Sequence, residues 1–370
     1  MSSNPDEEFV KLQCAISLRA FFGNFPLLGF IRRSTNIRNA FELFGPLLDI
    51  CGRVLEPGVD KAKRSTKLLL SSEWNYSPIT YHGIRDFPGF VLIGFPASES
   101  SNPLLVPLSG HELGHAVCKK RNLENDFRPS LQEEVLNYIK KNWDEYISLF
   151  PKTVQDKSKL AKDQAARDPW FRALNWAEQQ AKESFCDFLG IRIYGTSFLQ
   201  AFAYLSAPNV QSPRSENYPD SMKRVQNLIK AAESYGFDIP EGYEALFRPR
   251  PPAQLAPIDG FRLRAADEAL DHNVDKLIAK ADEIITGTDT EKPDSKEIDR
   301  IAEKLRLMVP AQRCKSLPDI LNAAWRVYEE EDLWESTIEE PGRQKDQILK
   351  DLILKNVEIF EVEQLLRQHQ

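Results

Sequence analysis

Apolar residues recur every three or four positions through much of this chain. Phe9, Leu12 and Ile16 keep that spacing, as do Ile37, Phe41 and Phe44, so residues 1–75 are expected to form a mostly helical segment. Gly-Pro at 45–46 and Pro-Gly at 57–58 punctuate it. From 76 to 107 the texture changes. The apolar runs Gly89–Gly94 (GFVLIG) and Leu104–Pro107 (LLVP) are β-rich and predict two strands. Helical spacing returns over 109–123, over 130–150 (Leu131, Val135, Tyr138 and Ile139 against a charged face), over about 169–192, and again at 221–235 after a polar loop at 207–220. The proline-dense stretch Arg248–Pro257 predicts a stiff linker. Helix follows it, with a polar break at Thr286–Ser295, and there is no internal repeat.

This pattern predicts an α+β protein that is mainly helical with a small β-sheet. Its expected divisions are an N-terminal helical segment (1–75), a core (76–240), a proline-rich linker (241–260) and a C-terminal helical region (261–370). A chain of 370 residues exceeds one small core. With 42% hydrophobic and 28% charged residues it is expected to fold rather than remain disordered. The net charge of -7 argues against a nucleic-acid partner. The one basic run, Lys119–Arg121, ends a predicted helix, where cations answer the dipole. Five cysteines, Cys14, Cys51, Cys118, Cys186 and Cys314, lack zinc-finger or redox spacing. They read as reduced thiols of a cytoplasmic protein. The N-terminus MSSNPDEEF is unlike a signal peptide. No apolar run reaches the roughly 20 residues of a membrane span; the stretches near Phe21–Ile31 and Phe90–Phe95 are short.

The candidate chemistry lies in His111–His115, which reads HELGH. On a helix, positions i and i+4 share a face, so two imidazoles can hold one metal ion with Glu112 beside it as general base. A competing reading uses the Ser109-x-x-Glu112 spacing as a capping box. A catalytic zinc needs a third protein ligand. Position 121 is Arg, which excludes zinc peptidases with a third His six residues on, and His82, His272 and His369 have no ligand-like context. Glu183 and Asp187 are again i and i+4, in an otherwise apolar stretch with Phe185, Cys186, Phe188 and Leu189. A carboxylate buried there needs a partner. One of the two can bind the metal while the other accepts a ligand imidazole's second N–H. Glu178 is an alternative ligand. Cys118 and Cys186 read as small core residues rather than further ligands.

His111–His115 followed by Glu183-x-x-x-Asp187 resembles the gluzincin clan of zinc metallopeptidases. The resemblance implies a gluzincin-like core binding Zn2+ through His111, His115 and Glu183, with Glu112 as base and Asp187 orienting His111. The segment Asn217–Val225 (NYPDSMKRV) resembles the one after the metal Glu in prenyl-protein endopeptidase-like families, where a His-Pro pair precedes an Arg five residues on. Here Tyr218 takes the His position. It is the candidate transition-state donor, with Tyr194 in reserve, and Arg224 is the candidate site-organising cation. A Tyr-Pro turn before a helix is the plainer reading of the same residues. The chain departs from these families in two ways. His115 and Glu183 are 68 positions apart, which implies a helical insertion at about 125–168 that could gate the cleft, and the membrane spans of the prenyl-protein family are missing. In gluzincins an edge strand near the zinc helix binds extended substrate, a role open here to Phe90–Ile93 or Leu104–Val106.

Three functions are compatible with these residues. The first is a zinc metallopeptidase acting on peptide or protein substrates. The second is a zinc hydrolase of a non-peptide amide or ester. The third is a non-catalytic helical interaction protein. The acidic C-terminal region, with Glu329–Asp332 and Glu339–Glu340, offers a surface for a regulatory partner.

Overall fold

The computed structural model describes residues 6–23, 25, 29, 40–73, 79–80, 89–153, 156–162, 164–208, 214–249, 255–334 and 341–368. The expectations placed on Ile37, Tyr218's upstream loop at 209–213, His82, His369, Glu339–Glu340 and part of the proline-rich stretch (250–254) fall outside these residues.

The described chain is mainly helical and carries one small sheet. Strand β1 (Lys67–Glu73) runs parallel to β3 (Phe90–Pro96), pairing Lys67 with Phe90 and Ser71 with Gly94. The short β2 (Ile79–Thr80) pairs antiparallel on the other edge of β3, which gives the order β1-β3-β2. Residues Val91 to Pro96 are all buried, as a strand covered on both faces requires. Helix α1 (Glu7–Gly23) comes first in the described chain, α2 (Phe44–Leu55) packs on β1, and α3 (Ser109–Arg121) packs on β2 and β3.

Around this sheet lie α4 (Leu123–Lys141), α5 (Trp143–Leu149), α6 (Gln164–Tyr194), α7 (Thr196–Ser206) and α8 (Ser221–Ser234). They are followed by α9 (Pro257–Asp271), α10 (Val274–Thr286), α11 (Ser295–Arg306), α12 (Leu317–Tyr328) and α13 (Pro341–Gln368). Helix α6 is the hub: α3, α4, α7, α8, α9, α10 and α12 all touch it. Its residues Phe185, Cys186, Phe188, Leu189 and Ile191 are buried all round the helix, which is what an apolar circumference demands. Gly195, at φ 63°, allows the chain to turn directly into α7. Asn322 of α12 locks this corner. Its Nδ2 donates to the Tyr194 carbonyl at 2.7 Å, and its Oδ1 accepts from Ser197 N at 2.9 Å. A single cluster of buried apolar side chains runs from Leu43 to Val357.

Several local expectations are corrected. Leu104–Val106 is no strand but part of a 3-10 helix, Pro103–Leu108. Proline at 103 and 107 fixes φ and removes two donors, and the Asn102 side chain caps Leu104 N at 3.1 Å. Phe90–Ile93 is not an edge strand either: it lies in the central strand of the sheet, with Ile93 paired on both sides. Strand β1 falls inside the segment expected to be helical, and α7 was not foreseen. The interval expected to hold an insertion is occupied by α4, α5 and the start of α6, and α4 and α5 pack on α9.

Candidate metal centre

Two helices build the site. Gly110 and Gly114 on α3 lie against Gly190 and Cys186 on α6. A Cβ at Gly110 would sit 2.7 Å from Gly190 Cα, and one at Gly114 would sit 2.6 Å from Cys186 Cα. These small residues bring the backbones together beside His111 and His115 on α3 and one turn beyond Glu183 and Asp187 on α6.

The imidazoles of His111 and His115 sit nearly perpendicular, their centroids 4.9 Å apart. Both turn Nε2 toward one carboxylate: His111 Nε2 is 3.3 Å from Glu183 Oε2, and His115 Nε2 is 3.6 Å from Glu183 Oε1. The three ligand atoms lie within 4.8 Å of one another. Ligands held tetrahedrally about 2.0–2.1 Å from zinc are about 3.3–3.4 Å apart, and the two nitrogen–oxygen separations of 3.3 and 3.6 Å suit that ion. Glu183 Oε2 is buried and makes no hydrogen bond. A buried oxygen of this kind needs a partner, and a cation among the three groups would supply it.

The rings are held from behind. His111 Nδ1 is hydrogen-bonded to Asp187 Oδ1 at 2.7 Å. Asp187 in turn accepts two bonds from Arg224 on α8, at 2.7 Å from Nε and 2.9 Å from Nη2. The Arg224 guanidinium lies 4.9 Å from the Phe202 ring centre and 5.5 Å from that of Tyr218, so aromatic faces cover the charge that is not paired. On the other imidazole, Cys186 Sγ is 3.4 Å from His115 Nδ1.

The electrostatics follow from burial opposed by pairing. Burial alone would lower the pKa of His111, but Asp187 and then Glu183 outweigh it and raise it to about 10. Burial would raise that of Asp187, but Arg224 and His111 hold it at about 2. Glu183 is lowered against burial by His111, His115 and Arg224. Tyr218 is raised by burial and then by the charge of Glu183, with smaller effects from Glu112 and Asp187. Its ring is nevertheless 42% exposed, which leaves it reachable from solvent beside the ligands.

The predicted residues thus separate clearly. His111, His115, Glu183, Asp187 and Arg224 form one connected cluster, and Tyr218 stacks at its rim. Glu112 is buried on α3. The capping box does not form: the residue before α3 is Leu108, without a side-chain cap, and Ser109 Oγ is bonded to Tyr194 OH at 2.9 Å. That contact also removes Tyr194 as a donor, since its hydroxyl is buried against Ser109. Glu178 is committed to Arg128 at 2.9 Å, which excludes it from the three-ligand group. The contact of Cys186 with His115 was missed. The signal was present in the sequence, because Cys186 follows Glu183 by one helical turn and so shares its face. No protein-family model, curated protein or solved structure matches this chain.

Proposed function

We propose that this chain is a zinc-dependent metallopeptidase with a gluzincin-like core. The observation that carries the reading is the convergence of two Nε2 atoms on one carboxylate, His111 facing the buried Oε2 of Glu183 and His115 facing Oε1, with the His111 ring oriented by Asp187. Two imidazoles and one carboxylate make a donor set typical of catalytic rather than structural zinc.

His111, His115 and Glu183 hold the ion. Bound zinc supplies Lewis acidity and a water that ionises near neutral pH. Glu112, buried on the same helix as the two imidazoles, would serve as the general base for the attacking water and pass the proton to the leaving amine. Asp187 keeps the proton of His111 on Nδ1, so that Nε2 stays free as the ligand atom, and Arg224 keeps Asp187 ionised. Tyr218 would donate a hydrogen bond from its hydroxyl to the oxygen of the attacked carbonyl, a role its raised pKa suits because the hydroxyl stays protonated. Substrate is a peptide or protein segment.

Elemental analysis and a peptide-library digestion test this directly. The purified parent is expected to carry about one zinc per chain and to cleave peptides. His111→Ala should lose the zinc. Glu112→Gln should keep it and lose turnover. A parent that takes up no zinc ends the proposal. A zinc-loaded parent that cleaves no peptide ends the peptidase reading and leaves the metal.

A further inference from the structure

The two imidazoles of the metal centre are backed by different chemistry. His111 Nδ1 meets the Asp187 carboxylate at 2.7 Å. His115 Nδ1 meets a thiol, Cys186 Sγ, at 3.4 Å. That is a hydrogen-bonding distance for sulfur, a larger and weaker acceptor than oxygen. Both rings turn Nε2 toward Glu183, so an ion held there leaves each ring proton on Nδ1. His115 then donates its Nδ1–H and Cys186 Sγ accepts it. Cys186 stands to His115 as Asp187 stands to His111.

Packing holds the thiol in this place. Cys186 is fully buried on α6, the helix that also supplies Glu183. Gly114, beside His115 on α3, makes its room: a Cβ at 114 would lie 2.9 Å from both Cβ and Sγ of Cys186. A side chain at 186 must therefore be small enough to pass the α3 main chain and still carry an acceptor to the ring. Alanine meets the first demand and fails the second. Serine meets both, with an oxygen in place of sulfur. A cysteine that only fills the core asks nothing of the second demand.

We infer that Cys186 is a positioning residue of the metal centre, its thiol accepting the Nδ1–H of His115 and holding that ring with Nε2 toward the ion. The inference rests on the proposed zinc site and adds a residue to it. Acceptors behind a ligand imidazole fix its tautomer and its orientation. Zinc affinity is measured by competition with a chromophoric chelator for the parent, Cys186→Ala, Cys186→Ser and Cys118→Ala. Losing such an acceptor costs about 10–100-fold in metal affinity, and sulfur is a weak one, so Cys186→Ala is expected to bind zinc about tenfold more weakly. Cys186→Ser restores an acceptor and should bind more tightly than Cys186→Ala. Cys118, equally buried on α3, controls for packing, and its replacement by alanine should leave the affinity close to that of the parent. Cys186→Ala as tight as the parent overturns the inference. So does Cys186→Ser no tighter than Cys186→Ala, or Cys118→Ala as weak as Cys186→Ala, since each assigns the thiol to core filling. A parent that takes up no zinc fails the metal reading itself, whereas a zinc-binding parent matched by Cys186→Ala fails this inference alone.

Discussion

Gly114 and Cys186 meet backbone to backbone: a Cβ on residue 114 would lie 2.6 Å from Cys186 Cα. His115 adjoins Gly114, and Glu183 lies one turn before Cys186. The contact therefore sets the distance across which a glutamate must reach two imidazoles. Gly110 and Gly190 repeat it one turn along. The glycines are here for close packing, since their φ values are not in the left-handed region.

Replacing Gly114 by Ala adds one methyl at this contact. Alanine gains up to about 1 kcal/mol in helix propensity, but the methyl meets main chain that cannot swing aside, and overpacking typically costs about 1–3 kcal/mol. The steric term is expected to win. The variant should lose about 1–2 kcal/mol in urea denaturation and bind zinc more weakly by at least about tenfold. A variant as stable and as tight as the parent would show that the two helices can separate at no cost.

The Asp187–Arg224 pair makes a second prediction. Asp187 is 1% exposed and holds both His111 and Arg224. Asp187→Asn keeps the size and removes the charge, leaving a buried guanidinium unpaired. Breaking one partner of a buried pair costs about 3–5 kcal/mol, and replacing the carboxylate behind His111 by a neutral amide lowers metal affinity about 10–100-fold. Adding Arg224→Met to Asp187→Asn should recover part of the stability and none of the metal affinity. Additive losses in that double-mutant cycle would contradict the coupling.

Much of this site was legible because its two halves are each local. His111 with His115, and Glu183 with Asp187, are i,i+4 pairs on strongly helical segments, so their faces follow from spacing alone. Arg224 was legible through its place after a Pro turn. Its bond to Asp187 is a contact across 37 positions that no periodicity encodes. The errors are local. Leu104–Val106 and Val91–Phe95 are both short buried apolar runs without a polar face to show a period; the second is the strand its composition predicts, and only its edge position fails. Two flanking prolines decided one of them for a 3-10 helix. Strand β1 (KLLLSSE) lacks strict alternation and was absorbed into its helical surroundings.

The pKa values of the network predict opposite pH responses without and with metal. His111 is raised from 6.5 to about 10, so its stabilisation is full below about pH 6.5 and is lost as pH rises through 10. Asp187 is lowered to about 2, so its stabilisation is full above about pH 4 and is lost as pH falls through 2. Chelator-treated protein should therefore weaken between pH 6.5 and 9. Zinc needs the deprotonated ring, so zinc affinity should rise about tenfold per pH unit across the same interval, with one proton released per ion bound. Urea midpoints at pH 6 and pH 9, with chelator and with equimolar zinc, check both. Chelator-treated protein that gains stability on going to pH 9 would contradict the assigned proton.

The thiols give the last prediction. Cys14 is exposed on α1, whereas Cys51, Cys118, Cys186 and Cys314 are buried. Burial pushes the Cys51 and Cys314 thiols up to about 12 and raises Cys186 well above its ordinary value. Reaction needs the thiolate and access to it; the buried four lack access, and Cys51, Cys186 and Cys314 are also held protonated. Ellman's reagent at pH 8 should therefore titrate one thiol quickly in the native protein and five after denaturation. Cys14 is not part of the metal cluster, so zinc should leave its reaction unchanged. Fast labelling of Cys118 or Cys186, located by peptide mapping, would mean that the α3–α6 contact, where Cys186 touches His115, opens readily, and the close helix packing on which the metal centre rests would fail with it.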